Sequence, residues 1–205
     1  METNATRGDS GGPGRIFRLA READAGRLRD IYRPYVTDTA VTFEYDVPSV
    51  AEFASRIRHI SAQYPYLVCE ERGEIAGYAY LSPFRERAAY DWDVETSVYI
   101  EERFQNRGIG SGFYARLLAF AEELGYYNAY GVVTLPNAGS LALHRTFGFE
   151  DAGIWHQCGY KLGRWHDVIC LERHLGNFDR EPVPPISIAA LSAERLQEIL
   201  GKGEI

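Results

Sequence analysis

The segment Gln105-Asn106-Arg107-Gly108-Ile109-Gly110-Ser111-Gly112 places glycines and an arginine between a β-rich run and an apolar-periodic one. A strand-to-helix loop of this kind turns several backbone N–H groups toward one point at a helix N-terminus, where the helix dipole also favours negative charge. The chemistry this suits is pyrophosphate binding. A side chain at the glycine positions would keep a phosphate away from the backbone, and Arg107 adds a fixed positive charge. The same pattern also serves as an ordinary tight turn. Two alternatives fail on spacing. No Lys follows the glycines as a nucleotide P-loop requires. A dinucleotide-binding fingerprint belongs in the first β-α turn, whereas this loop comes after several strands and helices.

A second group lies at Asn137-Ala-Gly-Ser140-Leu-Ala-Leu-His144, followed by Gly148-Phe149. Asn137 to Ser140 is i to i+3 and Ser140 to His144 is i to i+4, so the three share one side of a short helix. They read either as ligand-facing polar groups or as helix caps with a packed histidine.

The elements that must position these groups follow from periodicity. Arg15 to Leu19 alternates as a short strand, and Leu28, Ile31, Tyr32 and Tyr35 recur at helical spacing. Residues 37–44 are too irregular to assign. Ser49 and Glu52 form a capping box that opens a helix running to about Ser61. Tyr66–Glu70 and Ile75–Leu81 flank the hairpin turn Glu71-Arg72-Gly73-Glu74. Asp93–Ile100 is a strand with Val94, Thr96, Val98 and Ile100 on one face and Glu95, Ser97 and Tyr99 on the other. Beyond the Gly-rich loop, Tyr114, Leu117, Leu118, Ala121 and Leu124 mark the apolar side of a helix that Gly125 closes. A strand at 129–135, the short helix to Phe147, and strands near 151–160 and 167–174 complete one mixed α/β domain, 15–176. Residues 1–14 read as a disordered leader. Residues 177–205 form an extension in which Glu-Pro-Val-Pro-Pro precedes a short helix from Ser192 to Leu200. That helix is either docked on the domain or an oligomer contact.

Composition narrows the function. The 205 residues are 45% hydrophobic and 25% charged, with a formal net charge of -7, so a partner held mainly by phosphate contacts is not expected, and nucleic acid is excluded on that ground. No apolar run reaches the length of a membrane span. The three cysteines are too few for a disulfide framework. Cys158, Cys170, His156 and His166 fall near one another but lack the paired spacing of a structural metal site, so no metal is expected. A cytoplasmic location follows by default.

Together the two constellations resemble the GCN5-related N-acetyltransferases, the GNAT family, whose phosphate loop reads Gln/Arg-x-x-Gly-x-Gly/Ala. Gln105, Gly108 and Gly110 match it, and Asn137 and Gly148-Phe149 match the family's later helix. Thr42-Phe43-Glu44, Tyr64-Pro65-Tyr66, Ala89-Tyr90-Asp91-Trp92, Glu95-x-Ser97-Val98-Tyr99, Leu135-Pro136-Asn137 and Gly159-Tyr160-Lys161-x-Gly163-x-Trp165-His166-Asp167 are similar to its phosphinothricin acetyltransferase branch. The resemblance implies a GNAT fold: a central, mostly antiparallel twisted sheet of about seven strands flanked by about four helices. It further implies an acetyl-CoA-dependent N-acetyltransferase, homodimeric, that acylates the amino group of a small amino acid or analogue by direct transfer in a ternary complex.

The same resemblance assigns roles. Glu95 corresponds to the branch's general base, acting on the amine directly or through water, and His144 stands where many relatives carry a proton-donating Tyr. Backbone groups of Val98, Tyr99 and Ile100 would pair with the pantetheine arm. Gln105, Asn106, Arg107, Gly108, Ile109, Gly110 and Ser111 would hold the pyrophosphate, and Asn137 and Ser140 the CoA arm. Arg85 and Arg87 would clamp the acceptor's anionic group; two apart on a strand, they would point the same way. Phe43, Tyr90, Ser97, Val132 and Thr134 would line the acceptor pocket. A peptide N-acetyltransferase and a catalytically silent CoA sensor are the competing readings.

Overall fold

The computed structural model describes residues 14–202; the expected leader falls almost wholly outside them. Seven strands form one sheet in the order β1-β2-β3-β4-β5-β7-β6. β1 (Arg15–Leu19), β2 (Tyr66–Glu71), β3 (Glu74–Pro83) and β4 (Asp93–Ile100) pair antiparallel in succession. β5 (Asn128–Thr134), β7 (Arg164–His174) and β6 (Glu150–Lys161) do the same. The junction between the two halves is the parallel pair β4–β5. It holds only over Asp93↔Asn128, Val94↔Ala129 and Glu95↔Tyr130, although β4 continues to Ile100 and β5 to Thr134. Beyond Glu95 the strands diverge, which leaves backbone groups facing an opening in the sheet.

The helices obey local chemistry. α1 (Ala25–Thr37) and α2 (Val50–Ser61) cover one face. Ser49 and Glu52 complete the capping box of α2 reciprocally, at 3.2 and 2.7 Å. α3 (Ile109–Leu124) covers the other face, opening after Gly108 (φ 84°) and closing at Gly125 (φ 88°), both left-handed. α4 (Ala138–Thr146) begins at Asn137, whose side chain accepts from the Ser140 N–H at 3.1 Å.

Burial sorts the strand residues by face. Val94, Val98 and Ile100 of β4, Ala129 and Val133 of β5, and Ile169 and Leu171 of β7 pack with α3. Tyr66, Val68 and Tyr78 pack with α1 and α2, joined by Tyr80 and Tyr99. The alternation of a strand therefore puts Glu95 and Ser97, Val132 and Thr134, and Val168 and Cys170 on the α1–α2 side.

The C-terminal extension is docked. Ile188 and the fifth helix, α5 (Ala193–Leu200), join the α3 core through Ile188 and Ile199, both buried. Arg116 of α3, itself buried, donates to the carbonyls of Gly112 and Leu200 at 2.8 Å and to that of Lys202. Arg195 pairs with Glu123 at 2.6 Å. Among the described residues no helix is long and apolar enough to cross a membrane.

Candidate active site

The opening between β4 and β5 belongs to a cleft of about 1040 Å³. Its walls are the C-terminal half of β4, the loop before α3, the start of α4, the segment 38–43 after α1, and the near end of β7. Of the residues singled out above, it brings together Phe43, Glu95, Ser97, Val98, Tyr99, Ile100, Gln105, Asn106, Gly108, Gly110, Ser111, Val132, Thr134, Asn137, Ser140 and His144.

The phosphate-type end is formed by the first turn of α3. No side chain caps that helix, so its leading N–H groups are left for another acceptor. Arg107 does not join them. Its guanidinium turns back to Glu71 at 3.3 Å and lies over the Phe104 ring, outside the cleft lining. The Ile109 side chain is buried in the core, leaving only its backbone to the loop.

Along β4 the backbone is not uniformly available. The Tyr35 hydroxyl donates to the Ile100 carbonyl at 2.5 Å and accepts from the Ile100 N–H at 3.2 Å. Gln105 Nε2 also donates to that hydroxyl and that carbonyl, both at 3.2 Å. Ile100 and Gln105 are thus occupied with tying down the strand end. Ladder groups alternate between the two edges of a strand. Those of Val98 therefore point toward the opening with those of Ile100, while those of Tyr99 point toward β3.

Glu95 sits where the parallel pairing ends, opposite Tyr130 and Ser82. Burial raises its carboxyl from 4.5 to about 7, which makes it half-ionised near neutrality, as a base of moderate strength must be. Tyr80 hydrogen-bonds Ser97 beside it and feels the Glu95 charge.

On the α3–α4 side His144 is buried against Gly131, where an added Cβ would meet His144 Nε2 at 2.1 Å. His144 Nδ1 lies 2.8 Å from the Ser140 carbonyl, which can only accept, so Nδ1 carries the hydrogen. Burial lowers the imidazole pKa against the effect of that hydrogen bond, keeping the ring neutral. Its Nε2 then accepts from the Tyr114 hydroxyl at 2.6 Å, and that hydroxyl lies 3.1 Å from Thr96 Oγ1. Tyr114 lines the cleft, yet its helical spacing with Leu117 and Leu118 marks it in the sequence only as core. The signal is long-range: its partner is 30 residues away.

The expected arginine clamp is placed differently. β3 ends at Pro83, so Arg85 and Arg87 lie in the following loop, where strand alternation does not apply. Arg85 packs over Phe84 and Tyr90, at 4.9 and 5.6 Å from the ring centroids. Phe84 stacks on Tyr130 at 4.0 Å. Burial pushes the Cys170 thiol up, with the charges of Glu172 and Glu95 adding and that of Arg85 opposing; Tyr130 shares the Glu95 face, and Phe84 stacked on it carries Arg85 to that side. Neither arginine nor Tyr90 lines the cleft. Leu162, Arg164, His166 and Val168 do, and none of them stood out as a site residue in the sequence. Among the described residues no group of three or more His, Cys, Asp or Glu is arranged to hold a metal.

Comparison with known proteins agrees with this geometry. Residues 17–170 match the family model of the acetyltransferase (GNAT) domain. A phosphinothricin N-acetyltransferase of Streptomyces viridochromogenes is 37% identical over 82% of this chain and 90% of its own length. An L-methionine sulfoximine/L-methionine sulfone acetyltransferase of Salmonella typhimurium is 30% identical over 78% and 94%. The crystal structure of a GNAT superfamily phosphinothricin acetyltransferase from Sinorhizobium meliloti in complex with AcCoA superposes with a TM-score of 0.81, at 36% identity, over 86% of this chain and 97% of that one. A split parallel pair, an uncapped glycine-started helix beside it and a matching sequence along most of the domain lead to one assignment: the chain belongs to the GNAT acetyltransferases.

Proposed function

We propose that this enzyme transfers the acetyl group of acetyl-CoA to the amino group of a small amino acid or amino-acid analogue in a ternary complex. The observation that carries the reading is Glu95: a carboxyl raised by burial to about 7, in a cleft, on the side of the sheet opposite the phosphate-type loop. Relatives named for phosphinothricin and methionine sulfoximine acetylation support the acceptor class.

The residues fit acetyl-CoA. The first turn of α3 at Gly108, Ile109, Gly110 and Ser111 suits the pyrophosphate, with Asn106 alongside. The open backbone of Val98 suits the amide-bearing arm, and Asn137 and Ser140 border its path. Acetyl-CoA supplies a thioester, with an electrophilic carbonyl carbon and a thiolate leaving group. Glu95 takes the proton from the acceptor's ammonium, directly or through water, and so exposes the nitrogen lone pair. A backbone N–H facing the opening polarises the carbonyl oxygen. His144, neutral and fixed by the Ser140 carbonyl, holds the Tyr114 hydroxyl at the cleft. That phenol is kept uncharged by burial, which raises its pKa. It acts as a hydrogen-bond donor that can turn from His144 Nε2 to the departing sulfur. Phe43, Ser97, Val132 and Thr134 form the acceptor's surroundings.

The proposal includes a cytoplasmic location, supported by cysteines that form no disulfide among the described residues. It also includes a homodimer. β6 is an edge strand, and Ile154, Trp155, Tyr160 and Trp165 expose an apolar surface on its hairpin with β7, a surface that a second copy would cover. The mass in solution checks this.

The deciding assay is thiol release from acetyl-CoA with phosphinothricin, methionine sulfoximine and the common amino acids. Turnover of one or a few, lost in Glu95→Gln, is expected. Silence across the panel with acetyl-CoA still bound would overturn the reading in favour of a peptide acceptor or a sensor.

A further inference from the structure

The face of β4 that meets α3 is made of Val94, Thr96, Val98 and Ile100, and Thr96 supplies its one polar side chain. A valine there would fill the same volume. Thr96 is buried all the same, and a buried hydroxyl is destabilising unless it is bonded. Its Oγ1 lies 3.1 Å from the Tyr130 carbonyl and 3.1 Å from the Tyr114 hydroxyl. Tyr130 is the last β5 residue paired with β4, opposite Glu95, so Thr96 stands at the fork where the two strands part. Thr96 and Tyr114 both line the cleft.

At this fork there are fewer hydrogens than places for them. The hydroxyl hydrogens of Thr96 and Tyr114 face three acceptors: the Tyr130 carbonyl, the Tyr114 oxygen and His144 Nε2. The imidazole adds none, because its own hydrogen goes to the Ser140 carbonyl. In this structure the 2.6 Å contact gives the Tyr114 hydrogen to His144, and the Thr96 hydrogen goes to the Tyr130 carbonyl. The Tyr114 ring is held by His144, Phe147 and Phe149, with centroids 5.1, 5.4 and 5.8 Å away. Only the hydrogens are free to turn.

The phenol, raised by burial above its ordinary value of 10, keeps its proton against a thiol of ordinary pKa about 8.5. What it offers a departing thiolate is therefore a hydrogen bond. A donor placed behind the phenol oxygen polarises its O–H, since each bond in a chain strengthens the next. The hydrogen bond from Thr96 favours negative charge on that oxygen, against burial and the Glu95 charge. The Glu95 charge is cancelled once Glu95 has taken the ammonium proton.

We propose that Thr96 is a positioning residue for departure of the thiolate: its hydroxyl turns from the Tyr130 carbonyl to the Tyr114 oxygen as Tyr114 turns from His144 to the sulfur. This rests on the acetyl-transfer reading above. The C–S bond breaks with its electron pair on sulfur, Tyr114 keeps its proton, and the thiolate is protonated by solvent after it leaves.

The test is steady-state thiol release with L-methionine sulfoximine and phosphinothricin. It compares full-length wild type, Thr96→Val, Thr96→Ser, Tyr114→Phe and the double variant Thr96→Val/Tyr114→Phe. Thr96→Val keeps the volume and removes the donor, so kcat falls about 2- to 10-fold, the net worth of one hydrogen bond. Both KM values hold, and Thr96→Ser stays near wild type. In the Tyr114→Phe background the valine costs nothing further, because no phenol remains to polarise. Thr96→Val at the wild-type kcat overturns the proposal, as does Thr96→Ser as slow as the valine variant. The same loss with and without the Tyr114 hydroxyl, or a rise in KM for acetyl-CoA, makes Thr96 a strut of the fork and overturns it too. Tyr114→Phe at full kcat removes the phenol from the proposed reaction, and wild type that acetylates neither compound overturns the amino-acid reading; the inference falls with either.

Discussion

Replacing Glu95 by Gln should separate catalysis from stability. The wild-type carboxyl is raised from 4.5 to about 7 because the folded protein buries it, so the fold favours its protonated form. Stability from this group is full below pH 4.5 and is lost as pH rises toward 7; above 7 the whole penalty of a buried carboxylate is present. At 1.36 kcal/mol per pKa unit, the rise corresponds to about 3 kcal/mol. Glu95→Gln has the shape of the protonated group at every pH and escapes that penalty. At pH 8 its thermal midpoint should exceed that of wild type by about 6–12 °C, the conversion of about 3 kcal/mol for a chain of this size. At pH 4.5 the two proteins should melt almost together. Over the same range wild-type kcat/KM rises with unit slope below pH 7 and levels above it, whereas the variant loses about 10²–10⁴-fold at pH 8. Calorimetry at the two pH values reads the first effect and thiol release the second. A stability gain that is the same at pH 4.5 and 8 would refute burial as the origin of the shift. An active variant would refute Glu95 as the base.

Three further outcomes follow from the packing. Gly131→Ala places a methyl group 2.1 Å from His144 Nε2, so the imidazole must leave the Tyr114 hydroxyl. kcat should fall with little change in either KM, and unfolding in urea should show a loss of about 1–3 kcal/mol. Lys161→Met leaves the Thr42 carbonyl without its partner at 2.6 Å and frees the segment 38–43, so KM for the acceptor should rise while KM for acetyl-CoA holds, as steady-state kinetics with each substrate varied would show. A chain ending at Pro185 exposes the α3 surface that Ile188 and Ile199 cover and strips Arg116 of two carbonyl partners. A loss of about 3–6 kcal/mol for the two isoleucines should appear as a lowered melting temperature.

What the sequence disclosed was local. Ser49 with Glu52, Asn137 with Ser140, and the glycines at 108 and 125 each satisfy backbone groups within four residues, and each caps a helix as its spacing predicts. The faces of β4 were equally legible, because alternation is a property of one strand. Alternation does not extend to Arg85 and Arg87, because β3 ends at Pro83 and both lie in the loop beyond it. Arg107 pairs with Glu71 across 36 residues, and Tyr35 reaches Ile100 across 65. Such contacts depend on how the sheet is assembled, and no window of sequence contains them. For the same reason Tyr114 reads from spacing alone as one more apolar position on α3, and the choice between a docked tail and an oligomer contact is settled only by the buried Ile188 and Ile199.

The divergence of β4 and β5 after Glu95 turns the sheet into a partition with one passage. On the proposed function, donor and acceptor arrive from opposite sides of that partition and meet inside it. Neither blocks the other's exit, so each product can depart by the route its own substrate used. A single compound joining a pantetheine-like arm to an amino acid would have to thread the passage, held at its middle by main-chain groups that mutation cannot remove. Such a tethered ligand should therefore keep its grip on variants that have lost Glu95.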